Sequence, residues 1–357
     1  MNILLPPGIG DSIWAMVKIQ SLIANLNSKC GSSQDINILI SGRKSTYPYF
    51  QFTGNVRADI DKRSLDYLRR FSFVKSVELR AVPILANPVI TPEGYYNYVP
   101  DGPGTWKPPL CHTCAYQKTP CRYHIHDSID YIMMPNAHLE RGRRLEDWLP
   151  EFECNWNIMD EYEFRTGEFK FGENFKNKHG EYIIIYMCSL IGNGLVKSQD
   201  GCHNRNTIWT PEEWVELGRK LHEIHGVKIA VIGAVYDNDY WTQAIAPLLT
   251  DDDNKFWINM IEKTTTGEAF SLGKNARYCV SYQGGITMVP VYMGTPAAIF
   301  WRQKGDSIFP DKYLSFEESM ATAWVPPKML EEEKFLPLYY GRHDVNYIVD
   351  EIKRRKW

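Results

Sequence analysis

An apolar strand, a glycine turn and an amphipathic helix follow one another at the start of the chain, and this unit constrains the fold most. Residues 2–5 form a short apolar strand pattern, and the turn contains Gly8, Gly10 and Asp11. Residues 12–26 then place apolar side chains at helical spacing: Ile13, Met16, Val17, Ile19, Ile23 and Leu26. Strand patterns at 37–41 and 74–79 and a helix pattern at 64–71 continue the alternation. Such alternation predicts a parallel sheet with helices on its faces.

A second block of alternating strand and helix patterns begins near residue 182. It contains strand patterns at 182–186, 227–233, 277–281 and 296–301, and helix patterns at 211–225, 269–274 and 288–293. Thr210 is the predicted N-cap of the helix at 211–225, because Glu212 and Glu213 follow in its first turn. Two such blocks in 357 residues predict two Rossmann-like α/β domains, at 1–165 and 170–340, followed by an amphipathic basic helix within 343–357.

Between the strands of the first domain, residues 81–130 lose the periodic pattern and become rich in Pro, Gly, Tyr and Asn, which predicts an irregular insertion. The insertion ends in a cluster of possible metal ligands: Cys111, Cys114, Cys121 and His124, with His112 and His126 nearby. Three thiolates and one imidazole form a chemically sound tetrahedral set for a structural zinc ion. Free thiols or an isolated disulfide are equally compatible with this spacing.

Charge and hydropathy argue against some classes of protein. The formal net charge is −3, so the chain lacks the excess of basic residues typical of nucleic-acid binders. No stretch approaches the roughly 20 apolar residues of a transmembrane helix, and the N-terminus has no basic region of the kind that opens a signal peptide. We therefore expect a cytoplasmic protein without a transmembrane segment.

Asp11 is the candidate catalytic residue. Ligands of open α/β sheets bind outside the carboxyl ends of the strands, where a carboxylate can accept a proton from a hydroxyl group. Gly10 lets a ligand approach the start of the following helix. The alternative interpretation is that Asp11 only caps that helix.

Three further segments contain candidate donor-binding residues. Gln283, Gly284, Gly285 and Thr287 form a strand-to-helix turn whose backbone N–H groups can hold a diphosphate. The loop after the strand at 182–186 supplies polar and charged side chains: Ser189, Asn193, Lys197, Arg205 and Thr207. Gly233 ends the strand at 227–233. A tight turn and a solvated loop without any ligand are the alternatives.

Taken together, these segments resemble the lipopolysaccharide heptosyltransferase family, whose members have the GT-B fold. The resemblance lies in ILLPPGIGDSIWAMVKIQSL at the N-terminus, in IWTPEEWVELGRKL and IAVIGA in the second block, and in YCVSYQGGITMVPVYMGTPAAIFW. It implies two Rossmann-like domains whose parallel sheets face each other across a cleft, with the C-terminal helix packing back on the N-terminal domain. Residues 80–160 have no clear counterpart in typical members.

The resemblance implies an inverting, metal-independent glycosyltransferase that uses a nucleotide-diphosphate sugar, with Asp11 as the general base and no catalytic cofactor. The family's last motif usually reads D-(S/T)-G-x-x-H, whereas Gln283 and Met288 stand at its acidic and histidine positions here. The family also has a lysine two residues before the tryptophan that corresponds to Trp209. Thr207 stands at that position here, and Arg205 or Lys197 would supply the missing positive charge.

Candidate acceptor-binding residues follow a strand of the first domain: Asn136, His138, Glu140 and Arg141. We expect a glycan or a lipid-linked glycan as the acceptor. The basic stretch around Arg141 also allows a hydroxymethylated DNA base, the acceptor of some viral glycosyltransferases, although the acidic net charge argues against it. A non-catalytic nucleotide-sugar-binding relative is the third alternative, and a nicotinamide-dependent enzyme is disfavoured because the G-x-G-x-x-G fingerprint is incomplete.

Overall fold

The structure of the protein is a computed structural model. It describes residues 2–5, 12–13, 15–17, 19–20, 23, 36–41, 65–80, 88–90, 96–98, 131–132, 156–187, 209–282, 285–301, 325–339 and 343–357. The chain divides into two compact units, Met1–Glu163 (unit 1) and Phe164–Trp357 (unit 2).

Four strands described in unit 1 form a parallel sheet: β1 (Asn2–Leu5), β2 (Ile36–Ser41), β3 (Val74–Arg80) and β6 (Tyr131–Ile132). Their order in the sheet is β3-β2-β1-β6. The described residues between β1 and β2 are helical and bury Ile13, Met16 and Val17, which confirms the predicted strand and helix; the glycine turn between them lies outside the described residues. Residues 65–68 are also helical, as predicted.

The predicted irregular insertion contains regular structure. Strands β4 (Pro88–Ile90) and β5 (Tyr96–Tyr98) pair in antiparallel fashion as a separate hairpin. These strands occupy six residues of the insertion, and the irregular structure of its other residues stays a prediction. Three-residue strands flanked by Pro and Gly are too short to give a detectable alternation.

Six strands form a parallel sheet among the described residues of unit 2. In sequence order the strands are β7 (Tyr182–Tyr186), β8 (Lys228–Val231), β9 (Trp257–Asn259), β10 (Cys279–Tyr282), β11 (Ala297–Trp301) and β12 (Phe335–Tyr339). Every residue of β7, β10 and β11 is buried. Continuous burial on both faces explains why these strands consist mostly of apolar residues instead of alternating apolar and polar ones.

Seven α-helices of unit 2 flank or follow these strands among the described residues. They are α1 (Phe171–His179), α2 (Pro211–His225), α3 (Val235–Tyr240), α4 (Thr266–Asn275), α5 (Gly285–Tyr292), α6 (Pro327–Glu331) and α7 (Val345–Arg355). Helix α2 has the predicted bounds, because Thr210 and Glu213 form a reciprocal capping box and Gly226 ends the helix in the left-handed conformation. A second capping box, Thr265 with Glu268, makes α4 longer than the predicted 269–274.

The C-terminal helix α7 lies in unit 2, where it packs on α2. Its apolar face buries Ile348, Val349 and Ile352. Arg355 and Trp357 donate to the backbone oxygen of Glu333, just before β12, at 2.8 and 3.2 Å. These contacts make residues 345–357 part of unit 2, whereas the expected packing of this helix on the first domain stays a prediction.

Candidate functional site

The strand order of unit 2 contains a topological switch point. The sheet reads β12-β11-β10-β7-β8-β9, so the first strand of the unit, β7, lies beside the fourth, β10. This is the doubly wound order of dinucleotide-binding domains. The connections after β7 and β10 diverge to opposite sides, and ligands of such sheets bind in the crevice between the two carboxyl ends.

Both segments with predicted donor-binding side chains attach at this switch point. The loop at 189–207 follows β7, and the glycine turn at 283–285 follows β10. Register places Tyr186, the last residue of β7, beside Ser281 near the end of β10. Gly233 follows β8, the next strand on the far side of β7. The tertiary structure thus anchors all three predicted donor segments on adjacent strands.

Trp209, which precedes the N-cap of α2, is held at the carboxyl edge of the sheet. The backbone N–H of Trp209 donates to the hydroxyl of Tyr282 at 3.1 Å, and its indole N–H donates to the carbonyl oxygen of His343 at 3.1 Å. The indole ring packs against Trp214 and Phe300, each with ring centroids 5.1 Å apart. Trp209, which follows the loop at 189–207 in the sequence, therefore links the end of β10 to His343, four residues after β12.

Helix α5 begins at Gly285, directly after the glycine turn. Its first backbone N–H groups have no partner within the helix, and the helix dipole favours an anion at this end. The side chain of Thr287 is buried and donates to the carbonyl oxygen of Tyr282 at 3.5 Å. We therefore assign the Thr287 hydroxyl to the closure of the turn, and its predicted contact with a donor stays a prediction.

Met288 also lies in α5, at the position where the heptosyltransferase motif has histidine. Its side chain is fully buried. A histidine contact with a ligand therefore has no equivalent at this position. In this chain, an anion at the turn would depend on backbone N–H groups and on side chains from other segments.

Gly233 has a packing reason for its lack of a side chain. A Cβ atom there would come within 2.8 Å of the Asp237 carboxylate oxygen. Asp237 is buried and accepts a hydrogen bond from the backbone N–H of Ala234 at 2.6 Å, which caps α3. The backbone oxygen of Gly233 accepts from Glu262, whose φ of 60° lies in the left-handed region. The close packing after β8 explains Gly233 without a ligand.

Most of the predicted site residues lie outside the described residues. This holds for the catalytic candidate and its neighbouring glycine (Asp11, Gly10), for the remaining donor candidates (Ser189, Asn193, Lys197, Arg205, Thr207, Gln283, Gly284), for the acceptor candidates (Asn136, His138, Glu140, Arg141) and for the metal candidates (Cys111, Cys114, Cys121, His124). Their roles stay predictions. Within the described ranges, no cluster of three or more His, Cys, Asp or Glu residues has the arrangement of a metal site.

Burial controls the ionisation of groups close to the sheet. It raises the pKa of the Cys279 thiol, in β10, to about 12, so this cysteine stays neutral and is no nucleophile at physiological pH. Burial, with a smaller effect of Glu212, also raises the pKa of Tyr240 to about 12. Both groups are therefore neutral, apolar contributors to the core at pH 7.

Sequence reasoning missed Trp209, Tyr282 and Asp237 as residues that shape this edge. Tyr282 immediately precedes the glycine turn, and Trp209 immediately precedes the N-cap of α2. Their places next to the glycine turn and the helix N-cap were the only indication in the sequence that these two residues shape the site. The partners, however, are separated by 73 residues and meet only in the folded protein.

Comparison with solved structures agrees with this architecture. The ADP-heptose lipopolysaccharide heptosyltransferase II of E. coli matches with a TM-score of 0.50 and 11% identity, over 99% of this chain and 97% of that chain. A glycosyl transferase family 9 structure from Veillonella parvula matches with a TM-score of 0.51 and 10% identity, over 99% of this chain and 96% of that chain. At this identity the similarity shows the fold alone, and the predicted GT-B fold is confirmed.

No protein-family model and no curated protein sequence matches the chain. In the part of the chain that the structure describes, no helix combines the length and apolar character that crossing a bilayer requires.

Proposed function

We propose that the protein is a glycosyltransferase that binds a nucleotide-diphosphate sugar at the carboxyl edge of the unit 2 sheet. The observation that carries this proposal is the switch point between β7 and β10, from which both main donor segments continue. The start of α5 supplies backbone N–H groups for the diphosphate. Polar side chains of the loop at 189–207 supply the additional charge and hydrogen bonds.

We further propose an inverting transfer with Asp11 as the general base. In this reaction the acceptor oxygen forms a bond to the anomeric carbon, its proton passes to the Asp11 carboxylate, and the nucleoside diphosphate leaves. Attack on the face opposite the leaving group inverts the configuration. The support for Asp11 is its place after β1 of a parallel sheet, together with the resemblance to heptosyltransferases.

The proposed acceptor is a hydroxyl group of a glycan or a lipid-linked glycan, held by unit 1 residues around His138 and Arg141. The transfer is proposed to need no divalent cation. Under this proposal, the positive charge that neutralises the departing diphosphate comes from Lys197 or Arg205 and from the start of α5.

A thermal-shift screen against ADP-, GDP-, UDP- and CDP-sugars tests the donor proposal. A ligand that binds only the native state at about 100 times its dissociation constant adds about 2.7 kcal/mol to the free energy of unfolding. We expect one nucleotide class to raise the melting temperature clearly above the others. If none does, the donor site is refuted.

Enzymatic turnover is tested separately with the donor that binds. Release of the nucleoside diphosphate in the presence of glycan or lipid-linked glycan acceptors supports transfer. Donor binding without transfer to any acceptor and without donor hydrolysis would instead identify a non-catalytic nucleotide-sugar-binding protein.

A further inference from the structure

We propose that Tyr282 is a positioning residue of the donor site. Its hydroxyl fixes the backbone of Trp209, and thereby the end of the loop at 189–207, against the carboxyl end of β10. This inference rests on the proposed function, because it concerns the geometry of the proposed nucleotide-sugar site. Tyr282 acts through Trp209 and through the turn, since its own side chain is buried in the core.

The first part of the argument is the position of Tyr282 between two predicted donor segments. Its hydroxyl accepts the Trp209 backbone N–H at 3.1 Å, and its carbonyl oxygen accepts the Thr287 hydroxyl at 3.5 Å. Gln283 follows it directly in the sequence. One residue therefore links the end of the loop after β7 with the turn between β10 and α5.

The second part is the rigidity of the surroundings. The Tyr282 ring meets Trp214 edge-on with centroids 5.2 Å apart, and it packs against Phe300 at 5.4 Å. Trp209 packs on the same two aromatic rings. The Tyr282→Phe substitution would keep these ring contacts and remove only the hydroxyl group.

The third part is the specific consequence of that loss. A buried backbone N–H without a partner is unfavourable, so the Trp209 backbone would move to find another acceptor. Its indole would still be held by the carbonyl oxygen of His343 and by the aromatic contacts. The change would therefore displace the end of the donor loop while the core stays packed, and nucleotide affinity would fall more than stability.

The chain offers two matched control variants. The Tyr182 hydroxyl, on β7, is buried and donates to the carbonyl oxygen of Leu272 at 2.8 Å. Tyr182→Phe thus removes one buried hydrogen bond at the opposite, amino-terminal edge of the same sheet. Tyr278, just before β10, is buried with no hydrogen-bond partner for its hydroxyl among the described residues. Tyr278→Phe thus removes a buried hydroxyl without a described hydrogen bond.

The experiment compares the parent protein with the Tyr282→Phe, Tyr182→Phe and Tyr278→Phe variants. Titration calorimetry with ADP, GDP, UDP and CDP gives nucleotide affinity, and donor KM and kcat are measured with the sugar form of the nucleotide that binds. Amide hydrogen exchange at Trp209 and the melting temperature are measured without ligand. The exchange rate at Trp209 reports the hydrogen bond from its backbone N–H to the Tyr282 hydroxyl, independently of any activity.

We expect Tyr282→Phe to raise the nucleotide Kd and the donor KM about three- to tenfold, which corresponds to the net contribution of one hydrogen bond. The kcat should change much less, and the Trp209 amide should exchange faster. Tyr182→Phe should lower the melting temperature by at least as much as Tyr282→Phe, with unchanged Kd. Tyr278→Phe should leave nucleotide affinity unchanged.

Three results would overturn the inference in distinguishable ways. If the parent binds a nucleotide and Tyr282→Phe binds it equally well, Tyr282 has no positioning role while the proposed function stands. If the parent binds none of the four nucleoside diphosphates, the proposed donor site fails and its positioning by Tyr282 fails with it. Equal losses of affinity in Tyr282→Phe and Tyr182→Phe would show a general effect of lowered stability and would also overturn the inference.

Discussion

Arg219 binds Asp253 through two hydrogen bonds, from Nε to Oδ1 at 2.9 Å and from Nη2 to Oδ2 at 2.6 Å. Arg219 lies in α2 and Asp253 in the short helical turn before β9, so the ion pair joins these two elements. Asp253 is buried, and Thr250 donates to it through its backbone N–H and its hydroxyl. The Arg219 guanidinium and the Thr250 hydrogen bonds hold the pKa of this carboxyl well below its usual range, against the opposite effect of burial.

This pair predicts a pH dependence of stability. Because the folded-state pKa of Asp253 lies below the unfolded value of about 3.9, its contribution is fully present above that value and is lost as the pH falls through the folded-state pKa. Asp253→Asn should lower the free energy of unfolding at pH 7 by roughly 1.5–3 kcal/mol. It should also flatten the decline of stability below about pH 4. Urea unfolding between pH 2.5 and pH 7 measures both effects.

The neighbouring Asp252 provides the control for that experiment. Its side chain is exposed and pairs with Lys255 on the surface at 2.6 Å. Exposed ion pairs contribute little to stability, so Asp252→Asn should unfold like the parent protein. Equal effects of the two substitutions would contradict the assigned role of Asp253.

Gly285 tests the glycine turn as the diphosphate site. A bulky side chain at the first residue of α5, as in Gly285→Leu, should abolish nucleotide binding measured by calorimetry if the turn holds the diphosphate. Gly180→Ala serves as the control, because Gly180 ends α1 with a φ of 87° that a Cβ atom strains. This control should lose stability and keep its nucleotide affinity. Unchanged affinity in Gly285→Leu would remove the turn from the donor site.

Asp11→Asn tests the general base. The substitution keeps the size of the side chain and much of its ability to cap a helix. If Asp11 takes the proton from the acceptor hydroxyl, kcat should fall roughly 10²–10⁴-fold while donor affinity and melting temperature hardly change. If Asp11 only caps the helix, the loss should appear in melting temperature and kcat should persist. Steady-state kinetics together with thermal unfolding separate the two outcomes.

The cysteine cluster of the insertion predicts one structural zinc ion. Protein purified without added metal should contain about one equivalent of zinc by elemental analysis, and Cys114→Ser should lose it. Cys279→Ser is the control, because Cys279 is buried in β10 and should not affect the zinc content. Parent protein that is fully folded without zinc would show that Cys111, Cys114, Cys121 and His124 form no structural site.

The proposed sugar transfer needs no divalent cation. Chelation of magnesium should therefore leave turnover unchanged.

Several elements could be predicted because their signals are local. Helix α2 begins and ends where its capping residues dictate, and Thr210 and Gly226 lie next to its ends in the sequence. Strand β12 gave no such signal, because Pro337 within it argues against a strand. Its position at the edge of the sheet makes that proline tolerable, since an edge strand has no partner for one row of N–H groups. Edge position is a property of the whole sheet.

The amino-acid sequence by itself determined the alternation of strands and helices and the helix caps, because these depend on residues only a few positions apart. It also marked the two segments after β7 and β10 as candidates for the donor site. Only the tertiary structure decided that β7 and β10 are neighbours and that Trp209 meets Tyr282 across 73 residues. It also assigned Gly233 to close packing against Asp237. Strand order and such contacts follow from burial of the shared apolar core, in which residues distant in sequence compete for the same space.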